Sequence, residues 1–202
     1  MKRVLVATVA ELAESGYRAF RMDAVSAGAE VNKTTIYRRW PGKRQLVAAA
    51  VEWMRRLVHD VPLPDTGSLE HDLVEAFRRR ARFKDRTEGQ AWARLLAERH
   101  DPDVRGVIGD AVKERGDAWY AMVSRAISRD ELPKGTDPQL LLRMLGAIVD
   151  SWTASPSGRL KAELLEAAVR TVVAGARAGT LVRSPRRRWP TTIRARRRPN
   201  LP

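Results

Sequence analysis

The chain has 202 residues, 44% of them hydrophobic, no cysteine and a formal charge of +14. Such a length holds one or two domains with a sizeable core, and the lack of thiols excludes disulfides and thiolate metal sites. The charge is unevenly spread: residues 1–56 carry eleven Lys/Arg against five Asp/Glu, residues 57–180 nineteen of each, and residues 181–202 eight arginines and no acid. A basic head and tail around a neutral body suit a polyanionic partner.

In chain order, Leu5, Val9 and Leu12 recur at helical spacing, and Gly16 is placed to end that helix in a left-handed cap. The apolar run Val4–Ala10 stops at Glu11, too short for a secretion signal. Residues 22–43, M-D-A-V-S-A-G-A-E-V-N-K-T-T-I-Y-R-R-W-P-G-K, predict two short helices joined by a tight turn. Val25 and Ala29 give the first an apolar face. Asn32 can cap the second through its side-chain oxygen. Lys33, Thr34, Thr35, Tyr37, Arg38 and Arg39 crowd that second helix with donors, while Ile36 and Trp40 anchor it. Small polar groups at the front and basic groups behind suit a DNA major groove.

Through Val25-Ser26, Ala29-Glu30-Val31, Asn32-Lys33, Thr35-Ile36-Tyr37, Trp40 and Lys43 the sequence resembles the TetR (tetracycline-repressor-like) family of transcription regulators. The resemblance covers residues 4–180: motif-based at the front, architectural behind. It implies that Lys33, Thr34 and Thr35 lie near base edges or the adjacent backbone, and that Tyr37 bonds a phosphate. Lys43, opening the next helix, is expected on phosphate as well. Arg21, Asn32 and Arg38 complete the expected DNA-binding set. One position departs from the family pattern: Glu30 stands where the family has its turn glycine, and a positive φ there would strain a side chain that glycine lacks. Relatives carry residues before their first helix, so a start upstream of Met1 is expected, with Lys2 and Arg3 as the remnant of a basic arm.

From Lys43 a long helix is expected, with Leu46, Val47, Ala50, Val51, Met54 and Val58 as its stripe. Pro62 and Pro64 end it. Ser68 caps a helix burying Leu69, Leu73, Val74 and Phe77, and a further segment runs from Gln90. Asp101-Pro102 opens a helix through Val104, Ile108, Val112, Trp119 and Val123, bent or interrupted near Gly106 and Gly109. Asp137-Pro138 and Ser155-Pro156 open the last two. No strand pattern occurs. Arg143 breaks the leucine-rich stretch 140–149, so no segment is expected to span a bilayer, and a cytoplasmic protein is predicted.

The sequence thus predicts an all-α protein: a helix-turn-helix DNA-binding domain over 1–45, a helical effector-binding and dimerisation domain over 46–180, and a disordered Arg/Pro-rich tail over 181–202. The last two helices are more apolar than a surface helix needs, and the resemblance implies that they pair with those of a second copy. The expected interface is Leu141, Leu145, Ile148, Trp152, Leu164, Ala168 and Val172. Trp92, Trp119, Tyr120 and Met122 are candidates for an effector pocket, with plain core as the competing assignment. His59, His71 and His100 lack the i, i+4 pairing of helical metal ligands, and no cofactor or enzymatic motif is found. The expected partners are a near-palindromic double-stranded DNA operator, a second copy of the chain and an unidentified small molecule. The function is ligand-controlled regulation of transcription, most simply repression. The alternative is a sequence-indifferent nucleic-acid binder led by its tail.

Overall fold

The computed structural model describes residues 1–59, 61–153 and 161–182. Among these, nine helices run in order: α1 (Lys2–Ser15), α2 (Met22–Ala29), α3 (Lys33–Arg39), α4 (Lys43–His59), α5 (Leu69–Lys84), α6 (Thr87–Ala97), α7 (Pro102–Ser128), α8 (Pro138–Thr153) and α9 (Ala162–Arg177). The one non-helical pairing among them is a single antiparallel bridge between Thr136 and Val182.

Local chemistry sets the helix starts. Asn32 Oδ1 accepts from the Thr34 N–H (2.9 Å), Asp101 Oδ1 from those of Asp103 (2.8 Å) and Val104 (3.4 Å), and Asp137 Oδ1 from Gln139 (2.9 Å). Ser68 Oγ accepts from His71 at 3.4 Å. Each satisfies a first-turn donor that the helix leaves open. Contrary to the sequence expectation, α7 runs unbroken through Gly106 and Gly109. Both glycines are exposed, and about 1 kcal/mol of lost propensity at each is outweighed by burying Val104, Ile108 and Ala111 beside them.

Two apolar cores result. The first joins α1–α4 to Ala91 and Leu95 of α6 and to Val104, Ile108 and Ala111 of α7. The second lies among α5, the far half of α7, α8 and α9, around Phe77, Met122, Leu145 and Val169. The expected boundary at residues 45/46 therefore falls inside α4 and inside the first core. Leu181, assigned with the tail from composition, packs into the second core, and its carbonyl accepts the Asp137 N–H at 2.8 Å. The rest of the expected tail, residues 183–202, lies outside the described residues, as does the expected helix start at Ser155-Pro156.

The apolar faces of α8 and α9 divide differently from the expected interface. Leu141, Leu145, Ala168 and Val172 are buried within the chain's own core, and Ile148 and Trp152 pack partly against it. Of that set only Leu164 is exposed, as are Leu140 and Met144 of α8, which the expected interface left out. A stripe wide enough to face two ways does not reveal from sequence which half meets its own core.

Candidate nucleic-acid interface and body cavity

The α2–α3 turn closes as a Schellman motif. The Glu30 N–H bonds the Ala27 carbonyl and the Val31 N–H that of Ser26, while Ser26 Oγ donates to the Val31 carbonyl at 2.7 Å. Glu30 itself sits at φ 54°, ψ 46°, the left-handed conformation expected of a glycine position. Its carboxylate pairs with Arg3 on α1, but both side chains are largely exposed and the pair offsets little. Glu30→Gly is expected to raise stability by about 1 kcal/mol, a shift of roughly 2–4 °C in Tm. Thermal unfolding of the two proteins checks this, and a lower Tm in the variant overturns it.

Beyond that turn, Ile36 and Trp40 seat α3 on the first core, leaving Lys33, Thr34, Thr35, Tyr37 and Arg38 exposed on one short element. Asn32 is occupied as the cap. Lys33 Nζ lies 2.7 Å from Asp23 on α2, an exposed pair that a phosphate can displace. Arg21 precedes α2 with its side chain exposed and its backbone N–H held by Glu11 Oε1 at 3.1 Å. Lys43 is half-buried. Its ammonium donates to the Arg18 carbonyl (3.3 Å) and lies 4.2 Å from the centre of the Tyr17 ring, so it braces the α1–α2 loop in the free protein.

The same loop carries a joint to the body that sequence reasoning missed. Glu98, at the C-terminal end of α6, accepts the backbone N–H groups of Tyr17 (3.0 Å) and Arg18 (2.7 Å). Gly16 makes room for it: a Cβ there would sit 2.2 Å from Glu98 Oε1. Gly16 also takes φ 72°, ψ −173°, an extended positive-φ region open essentially to glycine rather than the expected left-handed cap. Asp103, opening α7, pairs with Arg44 of α4 at 3.6 Å. Burial first, then the Asp103 and Asp101 charges, raise the Tyr17 phenol above its ordinary value. The one local hint was Glu98 itself, since an acid at a helix C-terminus opposes the helix dipole and invites a tertiary explanation.

Between the two cores lies a cavity of about 610 Å³, partly open to solvent. Met54 and Trp92 come to its wall from the first core, Ala76 and Trp119 from the second. Trp119 is held by Phe77, their rings 4.8 Å apart and tilted by 58°. Of the four expected pocket residues, Trp92 and Trp119 line this space. Met122 is buried in the second core and Tyr120 is exposed, neither on the cavity wall.

Residues 4–50 match the family model described as bacterial regulatory proteins, tetR family, and residues 63–172 match that of the tetracyclin repressor-like C-terminal domain. The chain belongs to the TetR family. The HTH-type transcriptional regulator AqdR of Rhodococcus erythropolis is 29% identical over 175 residues, covering 86% of this chain and 84% of its own. The DNA-binding transcriptional repressor TetR of Mycobacteroides abscessus is 34% identical over 146 residues, 68% of this chain and 73% of its own. Salmonella enterica GusR superposes with a TM-score of 0.69 at 22% identity, over 88% of this chain and 94% of that one, a likeness of fold. The chain is accordingly a transcriptional regulator and not an enzyme, all-α, with a helix-turn-helix head and a ligand-binding C-terminal domain. The alternative of a sequence-indifferent nucleic-acid binder does not fit relatives named as transcriptional regulators and repressors. No described helix is long and apolar enough to cross a membrane.

Proposed function

We propose that the protein represses transcription as a homodimer on a near-palindromic operator and lets go of DNA when a small molecule fills the cavity between its two cores. The observation that carries this is the coupling of cavity to head through two helices. α6 places Trp92 in the cavity wall and Glu98 on the α1–α2 loop, and α7 places Ala111 in the wall and Asp103 against Arg44 of α4. Six to eight residues of helix separate each pair, about 9–12 Å of rigid rod. A ligand that favours a splayed arrangement of α6 and α7 would therefore move the heads, whose α3 helices need a spacing of about 34 Å to enter successive major grooves. A few kcal/mol of differential affinity suffices for release.

On α3 the exposed residues support a division of labour: Tyr37 on phosphate, Thr34 at base edges. Tyr37→Phe is expected to weaken binding about equally across a panel of operator variants, whereas Thr34→Ala changes the ranking of the panel. A sequence-dependent loss for Tyr37→Phe would refute the assignment. Lys43→Ala is a less clean probe, because it also removes the brace on Arg18 and Tyr17.

A further inference from the structure

Several arginines stand at the wall of the cavity, and most are answered by acids. Arg55 is held by Glu52 (2.6 Å) and Glu114 (3.1 Å), Arg79 by Glu75 (2.8 Å), and Arg80 by both oxygens of Asp150 at 2.8 Å. Arg82 has no ion-pair partner among the described residues but is exposed to solvent; Arg115 is the half-buried exception. It reaches the wall from the middle of α7, half-buried, with its guanidinium 5.7 Å from the centre of the Phe83 ring and no hydrogen-bond or ion-pair partner among the described residues. Burial, and then the Arg80 charge, push its pKa below the ordinary value. A guanidinium cannot shed its proton to escape such a site, so the cost of its desolvation stands until an anion meets it.

The remaining wall is apolar and aromatic: Met54, Leu57, Leu63, Phe83, Trp92 and Trp119. A cavity of about 610 Å³ with this lining suits a drug-sized organic molecule, and its one half-buried charge without an acid selects the kind. We infer that the effector is an amphipathic organic acid, whose apolar or aromatic body lies between Trp92 and Trp119 while its carboxylate takes the fork of Arg115. The planar fork presents two parallel donors to a carboxylate, and the Phe83 face beneath it fixes the plane. This rests on the cavity being the effector site. The placement also serves release, because Arg115 belongs to the same helix as Asp103, so an anion drawing on it pulls the rod that pairs with Arg44 of the head.

The test is calorimetric titration of the full chain with three probes of one shape: 2-naphthoate, neutral 2-naphthamide and 2-naphthylmethylammonium. The wild-type protein is expected to bind naphthoate about tenfold or more tighter than the amide, the scale of a charge-assisted hydrogen bond, and to bind the ammonium weakest. In Arg115→Met the carboxylate and amide should become equal, with the amide unchanged. Arg115→Gln serves as a second neutral variant should the first unfold, and circular dichroism reports folding for both. Equal wild-type affinities, or a carboxylate preference that survives both variants, overturn the anion assignment, as a merely solvated Arg115 would. Binding of the amide alone overturns only that assignment and keeps the cavity as a ligand site. Binding of none of the three at millimolar concentration overturns both.

Discussion

Met144→Asp is expected to yield soluble, fully helical monomers that no longer hold an operator. Met144, Leu140 and Leu164 are 40–43% exposed on α8 and α9, whose inner faces are already filled by the second core. Large apolar side chains left outside a finished core are what a second copy would cover. An aspartate at Met144 meets water in the monomer and costs little there, but it would be desolvated against its symmetry mate in a dimer. Two linked heads bind as one, so losing the partner removes an effective-concentration gain of roughly 10²–10⁴ in operator affinity. Val172→Asp is the contrast. Val172 is 5% exposed in the chain's own core, so a carboxylate there should lower Tm steeply rather than release folded monomers. Light scattering, circular dichroism and operator titration of both variants separate the outcomes. A wild-type monomer at micromolar concentration would end the dimer proposal.

What the sequence disclosed was local. Caps at Asn32, Ser68, Asp101 and Asp137 are contacts between neighbours in the chain, so the residues that make them announce the helix starts. The α2–α3 turn was equally legible, down to the strained Glu30, because its geometry depends on six consecutive residues. Features that depend on distant residues were not. The unbroken α7 is decided by burial of Val104 and Ile108 in a core built by α1–α4 and α6, partners that no window around Gly106 contains. The grip of Glu98 on Tyr17 and Arg18 spans about eighty residues. Arg115 stands out only once its half-buried neighbours on the wall have been matched to acids, among them Glu114 of α7 and Asp150 of α8. The apolar stripes of α8 and α9 were visible, but which half of each turns inward is settled by the helices packed on them.

Removing residues 183–202 is expected to weaken binding to operator and random duplex alike while leaving their ratio unchanged. Those residues hold eight arginines, four prolines and no acid, a composition that can neutralise phosphates but offers few apolar groups to a core. The cut belongs after Val182, since Leu181 is buried and bonded to Asp137, and a shorter chain would injure the body as well. Each neutralised phosphate contributes roughly −0.9 to the slope of log affinity against log salt. If most of the eight arginines engage, the truncated protein should therefore show a slope flatter by several units, on either DNA. Affinity at low salt falls most, and the difference closes as salt rises and counterions no longer gain by release. Base preference stays with α3, whose exposed Thr34 and Thr35 the truncation does not touch. Titrations of the full and shortened chains on operator and random DNA across a range of salt read this directly. Parallel slopes would mean that the arginines never reach the phosphates, leaving the excess charge of the head alone to draw the protein to DNA.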